Sequence, residues 1–521
     1  MANPSLQIGN DNWAIKEDNL LGYSTAGTRF VPQPITMTRA TLGTRVNPSG
    51  LVEDVALLGS ENIDLTTGST TSPSNWGSIT TNGISYLAQI GTVEYYDTGF
   101  TVTSGLTYKL TFTLSNYTGS NNLGFSSSGG VSSSARLDAD GSYSEYFIAS
   151  SSVELKMFGR NTATGVFTNV SVKEATIDNL PRVDYTDGTS SLLVEPQRTN
   201  LIPYSEAITQ ANGYSPYDVT LASNQGTTPM GTNNATKLTS TGADPYIQYA
   251  VPNTNATFTL SVYAKGVGSS VGKDINFYLI RDNYADVVQS SQFTLTNEWV
   301  RYTATLSLST NPTTQVIYRI DAPSVGVAGD EVLIWGAQLE EGSYATSYIP
   351  TSGGTVTRVQ ETYEKTGISD KIGQTEGTFF IELSKPVLSP DNYITISLNN
   401  AASNSIDNTL TIGFKNSNEY YIRLRAGGTS AFTSGNTASL ANTFYKIAVS
   451  YKSTESLIYI DGSPITPNGG SLSNAFAFTA TLDNLSFDLD GDDTSPFYGN
   501  VKQLQIFKTA LSPSELITLT T

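Results

Sequence analysis

The chain has 521 residues, too many for one hydrophobic core, and typical domain sizes predict three or four domains. Cysteine and histidine are absent, which excludes disulfides, thiolate or imidazole metal sites, and catalytic arrangements that need either residue. The net charge of −18 would repel nucleic acid, and no stretch approaches the roughly 20 apolar residues of a membrane span. Any chemistry would depend on carboxylates, tyrosine or lysine, so we expect a protein that is not an enzyme.

The first 55 residues predict an irregular region without a core of its own. Too few apolar residues recur with a regular period, and four prolines interrupt the segment: Pro4, Pro32, Pro34 and Pro48. Such a segment orders against a partner, because burial within itself does not offset the entropy lost. Residues 47–50, Asn-Pro-Ser-Gly, predict a hairpin turn. The N-terminus has neither a basic flank nor an apolar run, so we expect no signal peptide and synthesis in a cytoplasm.

Residues 56–178 and 204–350 predict two strand-rich blocks. Their apolar residues alternate, which is the pattern of half-buried strands, as in 108–114 and 258–264. The two blocks repeat the same order of segment types, which predicts two similar jelly-roll-like sandwiches in series. Residues 179–203 predict a connector with its own turn at Asp187-Gly188.

A linker at 351–362 leads to a third strand-rich block, residues 363–521. Near its end, Ser512 fits a helix N-cap, Pro513 the first helical position and Glu515 the end of a capping box. This predicts one short helix with Leu516 and Ile517 turned inward. The expected fold class is all-β: tandem antiparallel β-sandwiches behind an irregular N-terminal attachment region.

Two segments resemble sequences of tailed-phage virion proteins that carry concanavalin A-like or laminin G-like domains. They are TRATLGTRVNPSGLVEDV at 38–55 and SLLVEPQRTNLIPYSE at 191–206. In those relatives the two motifs lie close together, so residues 56–178 resemble an insertion. The second sandwich, with NNATKL at 233–238 and NEWVRYTATL at 297–306, resembles a carbohydrate-binding-module-like domain.

The third block resembles a laminin G-type or concanavalin A-like lectin sandwich. The segments that carry this resemblance are FYKIAVSYKSTESLIYIDG at 444–462 and FYGNVKQLQIFKTALSPSEL at 497–516. The resemblance implies a head or tail fibre or decoration protein of a virion, an adhesin that binds host-surface or environmental glycans. It further implies attachment to capsid or tail proteins through residues 1–55 and a homo-oligomer, for which we expect a trimer.

Two other functions stay open. A polysaccharide depolymerase of the virion would usually be a long parallel β-helix, but the sequence has no short regular repeat and no histidine for acid–base work. A cellular surface adhesin would be expected to carry a signal peptide. Paired acids such as Glu340–Glu341 and Glu361–Glu364 are adjacent on linkers, an arrangement that rarely suits glycoside hydrolysis.

The sequence FDLDGDD is the candidate metal site. Asp488, Asp490, Asp492 and Asp493 would offer oxygen ligands to Ca²⁺, although the glycine spacing is not that of an EF-hand and a solvated acidic loop is the alternative. Asp138 and Asp140 form a weaker pair that is more typical of a turn.

Aromatic residues are the candidate glycan-binding groups, because a ring offers a large apolar face to a sugar. We select Tyr214, Tyr217, Tyr246 and Trp299, with Trp76 as an open case. Core packing is the alternative for each of them, and it is the expected role of Trp335.

Overall fold

A computed structural model describes residues 2–10, 13–16, 19–26, 29–70, 75–87, 93–119, 123–127, 140–160, 162–282, 284–323, 326–387, 393–402, 406–415, 419–434, 438–453, 455–489 and 495–521. Over these residues the fold is all-β, with antiparallel strand pairs, so the predicted fold class is confirmed. None of the helices in these ranges is long and apolar enough to cross a membrane.

The strands are numbered in chain order. Those before residue 178 are β1 (Leu6–Gly9), β2 (Ala14–Lys16), β3 (Asn19–Ala26), β4 (Arg29–Thr38), β5 (Gly43–Val46), β6 (Val52–Val55), β7 (Leu57–Glu61), β8 (Ser69–Thr70), β9 (Trp76–Thr80), β10 (Gly83–Tyr86), β11 (Val93–Val102), β12 (Thr107–Thr118), β13 (Leu123–Ser127), β14 (Gly141–Ile148), β15 (Val153–Arg160) and β16 (Thr164–Thr176).

The next strands are β17 (Arg182–Asp184), β18 (Ser191–Val194), β19 (Arg198–Asn200), β20 (Ser215–Tyr217), β21 (Val219–Ala222), β22 (Thr236–Ser240), β23 (Tyr246–Val251), β24 (Thr257–Val267), β25 (Asp274–Arg281), β26 (Asp286–Gln289), β27 (Phe293–Thr294), β28 (Val300–Ser307), β29 (Val316–Asp321), β30 (Glu331–Glu341) and β31 (Val356–Arg358).

The last elements are β32 (Thr362–Lys365), β33 (Glu376–Ser384), β34 (Tyr393–Asn399), β35 (Thr409–Lys415), β36 (Glu419–Ala426), β37 (Thr429–Ser434), β38 (Tyr445–Lys452), β39 (Glu455–Ile460), β40 (Ser463–Pro464), β41 (Gly469–Gly470), β42 (Asn484–Ser486), β43 (Gly499–Phe507) and helix α1 (Pro513–Thr520). Single 3₁₀ turns lie at Leu65–Thr67, Gln210–Asn212 and Gly268–Ser270.

The chain forms two compact units, each built from separate stretches of sequence. Unit 1 contains residues 1–55, 178–197 and 359–521, and unit 2 contains residues 56–177 and 198–358. This grouping differs from the expected series of separate domains, because the N-terminal segment shares a core with the C-terminal block.

Unit 1 has two antiparallel sheets around its larger apolar core, and a smaller cluster forms where Leu516 of α1 packs beside Phe380 and Ala448. In the first sheet, β39, β38, β33 and β43 pair in that order, and β1 and β18 pair with successive parts of the free edge of β43. In the second sheet the order is β4, β32, β42, β34, β35, β36, β37. The pairing of β3 with β4 joins the two sheets.

The prediction that the N-terminal region is irregular is therefore wrong. Strand β1 pairs with β43, so that Leu6 lies opposite Ile506, and β4 pairs with β32. Leu6, Ile8 and Ile35 are buried in the unit 1 core beside residues of the third block. The segment contains too few apolar residues to form a core by itself, because most residues of the core that it joins come from much later in the chain.

Three local predictions in unit 1 are confirmed by the structure, and one detail is corrected. Strands β5 and β6 form the hairpin around residues 47–50, and Asn47 Oδ1 accepts hydrogen bonds from the Ser49 and Leu51 amides. The turn at 187–188 joins β17 to β18. Helix α1 begins at Pro513 with the expected capping box, but Ile517 is 44% exposed and only Leu516 of the expected pair is buried.

Unit 2 contains two sandwiches with the same strand order. In the first, one sheet runs β14-β12-β16-β10-β9 and the other β13-β15-β11-β8. In the second, the sheets run β28-β24-β30-β22-β21 and β26-β25-β29-β23-β20. Nine strands therefore correspond one to one in chain order, and each sandwich has its own apolar core. The predicted repeat is confirmed at the level of topology.

A buried ionic cluster joins the three stretches of unit 1. Arg39 comes from the first stretch, Arg182 and Glu195 from the second, and Glu361 from the third. Arg182 Nε and Nη2 donate to the two carboxylate oxygens of Glu361 at 2.8 and 2.5 Å, and Arg39 also pairs with Glu361. The segment 351–362, expected to be a linker, therefore contributes to the folded structure, since it includes β31 and this fully buried glutamate.

Candidate functional site

The outer face of the β20-β23-β29-β25-β26 sheet is the candidate site. Side chains alternate along a strand, and the core takes Ile247 from β23, Tyr318 and Ile320 from β29, and Phe277 from β25. The residues between them lie on the opposite face. Register places Tyr217 opposite Tyr246, Tyr246 opposite Asp321, and Arg319 between Gln248 and Tyr278.

Three tyrosines and one arginine form the centre of this surface, which we call the tyrosine–arginine face: Tyr217, Tyr246, Tyr278 and Arg319. The Tyr217 and Tyr246 rings are stacked, with centroids 5.0 Å apart and planes 15° apart. The guanidinium carbon of Arg319 lies 3.6 Å from the Tyr246 centroid and 4.9 Å from that of Tyr278. Tyr217 is 53% exposed, so the outermost ring is open to a ligand.

Two carboxylates hold the arginine in place. Arg319 Nε and Nη2 donate to Asp321 at 2.5 and 2.9 Å, and Nη2 also donates to Asp244 at 3.0 Å. Burial works against a charged Arg319, but Asp321 and Asp244 outweigh it and raise the pKa of the guanidinium. One positive and two negative groups leave this cluster with a net negative charge, so it does not attract an anion.

Polar groups lie around the rings. Tyr284, which is 50% exposed, donates its hydroxyl to Gln248 Oε1 at 3.0 Å. Asn276 lies opposite Asp321 in the sheet, and its buried Oδ1 accepts no hydrogen bond from the residues that the structure describes. Rings flanked by amide and carboxylate oxygens suit a ligand with apolar faces and hydroxyl edges, which is the chemistry of a sugar.

The four predicted aromatic residues do not form one group. Tyr217 and Tyr246 lie together on the tyrosine–arginine face, and their role in glycan binding stays a prediction. Tyr214 was expected at the surface, but it is 2% exposed, packs against Tyr249 and donates its hydroxyl to the Tyr204 carbonyl. Trp299 is half-buried next to β28 in the other sheet, where its indole nitrogen donates to the Thr227 carbonyl at 2.8 Å.

The remaining tryptophans of unit 2 are core residues. Trp335 is fully buried between Tyr263 and Tyr348, as expected. Trp76, left open above, is 6% exposed and packs on Tyr86, so it offers no platform to a ligand.

The candidate calcium ligands can be placed only in part. Asp488 is buried and accepts a hydrogen bond from Ser486 at 2.7 Å, while Asp490, Asp492 and Asp493 lie outside the described residues, as does Asp138. Asp140 accepts hydrogen bonds from the Asn116 and Tyr117 amides of β12, and the turn expected around it falls among residues outside the described ranges. Within the described ranges, no three acidic residues are grouped closely enough to hold a metal ion.

Arg319, Asp321 and Tyr278 were not selected from the sequence. A signal was present in VIYRID, residues 316–321, where an arginine and an aspartate alternate with apolar residues and must share the outer face. The sequence does not predict which residues lie beside that pair, because the neighbouring strands β23 and β25 are distant in sequence from β29.

A family model matches part of the chain. Residues 387–517 match a laminin G-type family model described as the concanavalin A-like lectin/glucanases superfamily. The match lies within unit 1 and confirms the expected lectin-like sandwich of the third block as a fold. Comparison with curated proteins finds no relative.

Several solved structures are similar to parts of the chain. They include the CBM40 domain of a Ruminococcus gnavus IT-sialidase bound to α2,3-sialyllactose, with 20% identity over 29% of this chain and 84% of that one, at a TM-score of 0.24. The CBM22-1 xylan-binding domain of Paenibacillus barcinonensis Xyn10C has 16% identity over 28% of this chain and 94% of that one, at 0.21. A Trypanosoma rangeli sialidase has 8% sequence identity over 96% of this chain and 88% of that one, at a TM-score of 0.24. Similarity at this level transfers neither a ligand nor an activity.

Proposed function

We propose that the protein is a non-enzymatic glycan-binding protein and that its second sandwich binds neutral saccharides on the tyrosine–arginine face. The observation that carries the proposal is the exposed stack of Tyr217 on Tyr246 on Arg319. A stack fixed by two carboxylates is rigid before a ligand arrives, so binding costs little ordering entropy. Its negative surroundings favour an uncharged sugar over an acidic one.

The wider role that we propose is that of a virion fibre or decoration protein that attaches a phage to host-surface or environmental glycans. The support is the resemblance of residues 38–55 and 191–206 to phage virion proteins, together with the lectin-type family match at 387–517. Location on the virion, contact with capsid or tail proteins and a trimeric state belong to this proposal. A virion depolymerase or a cellular adhesin is the alternative.

The test uses the full chain on an array of neutral and acidic oligosaccharides, followed by calorimetry with the best neutral binder. We expect Tyr217→Ala to weaken binding about tenfold, the effect of losing roughly 1.4 kcal/mol of ring contact. Tyr393→Ala is the matched control, because Tyr393 is a 40%-exposed tyrosine in unit 1.

Two outcomes would reject the binding proposal. The first is an array on which no neutral saccharide is bound by the native chain. The second is an unchanged affinity in Tyr217→Ala, which would make the exposed ring a surface residue without a ligand. Release of shortened sugars from a bound polymer would favour the depolymerase alternative.

A further inference from the structure

The first sandwich has a face equivalent to the tyrosine–arginine face. Strands β8, β11, β15 and β13 occupy the positions that β20, β23, β29 and β25 occupy in the second sandwich, and in the same chain order. The outer face of β11 and β15 is therefore the counterpart of the surface that bears Tyr246 and Arg319. Equivalent strands do not by themselves make an equivalent binding site, so the side chains on the two faces must be compared.

Aromatic and cationic residues occupy this second face as well. Tyr96 of β11 and Met157 of β15 are in the core, so Tyr95, Phe158 and Arg160 point outward. Register places Tyr95 opposite Phe158, and Gly124, on the other side of Phe158, contributes no side chain beside its ring.

The rings and the cation of this face are accessible. Tyr95 is 38% exposed, and Arg160 is exposed with its guanidinium carbon 5.1 Å from the Phe158 centroid. We call this surface, Tyr95, Phe158 and Arg160, the phenylalanine–arginine face.

The two faces differ in charge. On the first sandwich, Lys156 pairs with Asp97 at 2.7 Å, which leaves that pair neutral, and Glu154 of the same face lies at the end of β15 opposite to Arg160. Arg160 forms no ion pair with a carboxylate among the residues that the structure describes, whereas Arg319 is held by two. A guanidinium that lies over a ring and pairs with no described carboxylate can pair with an anionic ligand.

We propose that the phenylalanine–arginine face is a second saccharide-binding site, which takes sugar chains that carry carboxylate groups. Tyr95 and Phe158 contact the apolar face of a sugar ring, and Arg160 pairs with its carboxylate. The inference rests on the proposed function, because the equivalent face identifies the ligand class. It goes further by assigning a second site with the opposite charge preference.

The experiment is native affinity electrophoresis of the full chain in gels that contain an acidic polymer (polygalacturonate, alginate or hyaluronate) or a neutral one (galactan, mannan or dextran). We expect at least one acidic polymer to retard the native chain. Tyr95→Ala and Arg160→Gln should each raise the dissociation constant about tenfold, as expected for loss of a ring contact or a charge-assisted pair. Lys508→Gln removes one exposed positive charge from unit 1 and should leave the retardation unchanged.

The results separate this site from the one in the second sandwich. Tyr217→Ala should weaken binding to neutral polymers, so its failure to do so would count against the proposed function alone. The second site is overturned if no acidic polymer retards the chain, or if Lys508→Gln weakens binding as much as Arg160→Gln. It is also overturned if Tyr95→Ala changes the oligomeric state in size-exclusion chromatography without changing retardation, which would indicate a contact between copies.

Discussion

Glu361 is the carboxylate that both buried arginines of unit 1's ionic cluster share. Its carboxylate accepts bonds from both Arg39 and Arg182, and one of its oxygens also accepts the Glu195 amide at 3.0 Å. Burial works to lower the pKa of Arg182, but Glu361 and Glu195 raise it, so this arginine stays charged. The cluster is complete only when all three stretches of unit 1 are present.

The first prediction concerns removal of that charge. Glu361→Gln keeps the shape of the side chain but removes the carboxylate that Arg39 and Arg182 share and leaves only Glu195 paired with Arg182, which should cost about 3–5 kcal/mol. Hydrogen exchange in peptides that contain Arg39 and Arg182 should then be faster by at least about a hundredfold. Glu364→Gln, which changes an exposed neighbour that accepts from Asn484, is the control. Equal protection in the two variants would contradict the prediction.

The second prediction, also at the residue scale, concerns calcium. If Asp488, Asp490, Asp492 and Asp493 bind Ca²⁺, EDTA should lower the melting temperature of the full chain and added Ca²⁺ should restore it, because a ligand that binds only the folded state stabilises it. Asp492→Asn should abolish the difference. A melting temperature that is identical with EDTA and with Ca²⁺ would show that the loop is a solvated acidic turn.

The aromatic candidates show how far residue patterns predict a site. Tyr246 is on the outer face because it alternates with the buried Ile247 within one strand, a parity that the sequence displays. Tyr214 precedes β20, so strand alternation does not predict which way its side chain points, and its ring packs against Tyr249 of β23. Burial of a residue outside a strand is set by tertiary packing, which a local pattern does not contain.

At the scale of elements, strands were predictable but their partners were not. Period-2 alternation marked β12 and β24, and the capping box marked α1. The pairing of β1 with β43 joins residues about 500 positions apart, and neither strand carries a signal that names the other. By contrast, the turn residues around 47–50 predict the pairing of β5 with β6, because these two strands are adjacent in sequence.

The third prediction treats the first sandwich as a removable element. Its core is separate from the others, and its flanks meet in unit 1, where the Asn179 amide donates to the Arg39 carbonyl at 2.7 Å and the Tyr185 amide to the Val46 carbonyl at 3.0 Å. A chain with 56–177 replaced by a short glycine–serine linker should fold and keep neutral-saccharide binding. It should lose binding to acidic polymers. Aggregation of this shortened chain would show that the sandwich is integral to the fold.

At the scale of the whole molecule, the N-terminal strands contribute to unit 1 rather than extending from it. Leu6, Ile8, Leu20, Ile35 and Met37 lie in the same core as residues of β33 to β43. Attachment to a larger particle, if it occurs through this part of the chain, would use a surface of a folded unit and would not require an unstructured arm to become ordered.

The fourth prediction follows from this arrangement. Deletion of residues 1–55 removes β1 and β4, so unit 1 should lose its fold and expose apolar surface. Limited proteolysis of the truncated chain should degrade residues 359–521 while a fragment that contains the second sandwich survives and keeps neutral-saccharide binding. A stable, protease-resistant C-terminal fragment in the truncated chain would contradict the prediction.

The division of unit 1 into three stretches also sets an order of events on the ribosome. Strands β1 and β4 emerge early, but β43, which pairs with β1, and β32, which pairs with β4, follow only after Val359. At about 5–20 residues per second, synthesis of the intervening chain takes on the order of tens of seconds. The first sandwich of unit 2 can fold during that interval, while β1 and β4 remain without these partners and with exposed apolar side chains. Nascent chains halted before residue 359 should therefore bind chaperones through their first 55 residues, although the finished protein buries those same strands.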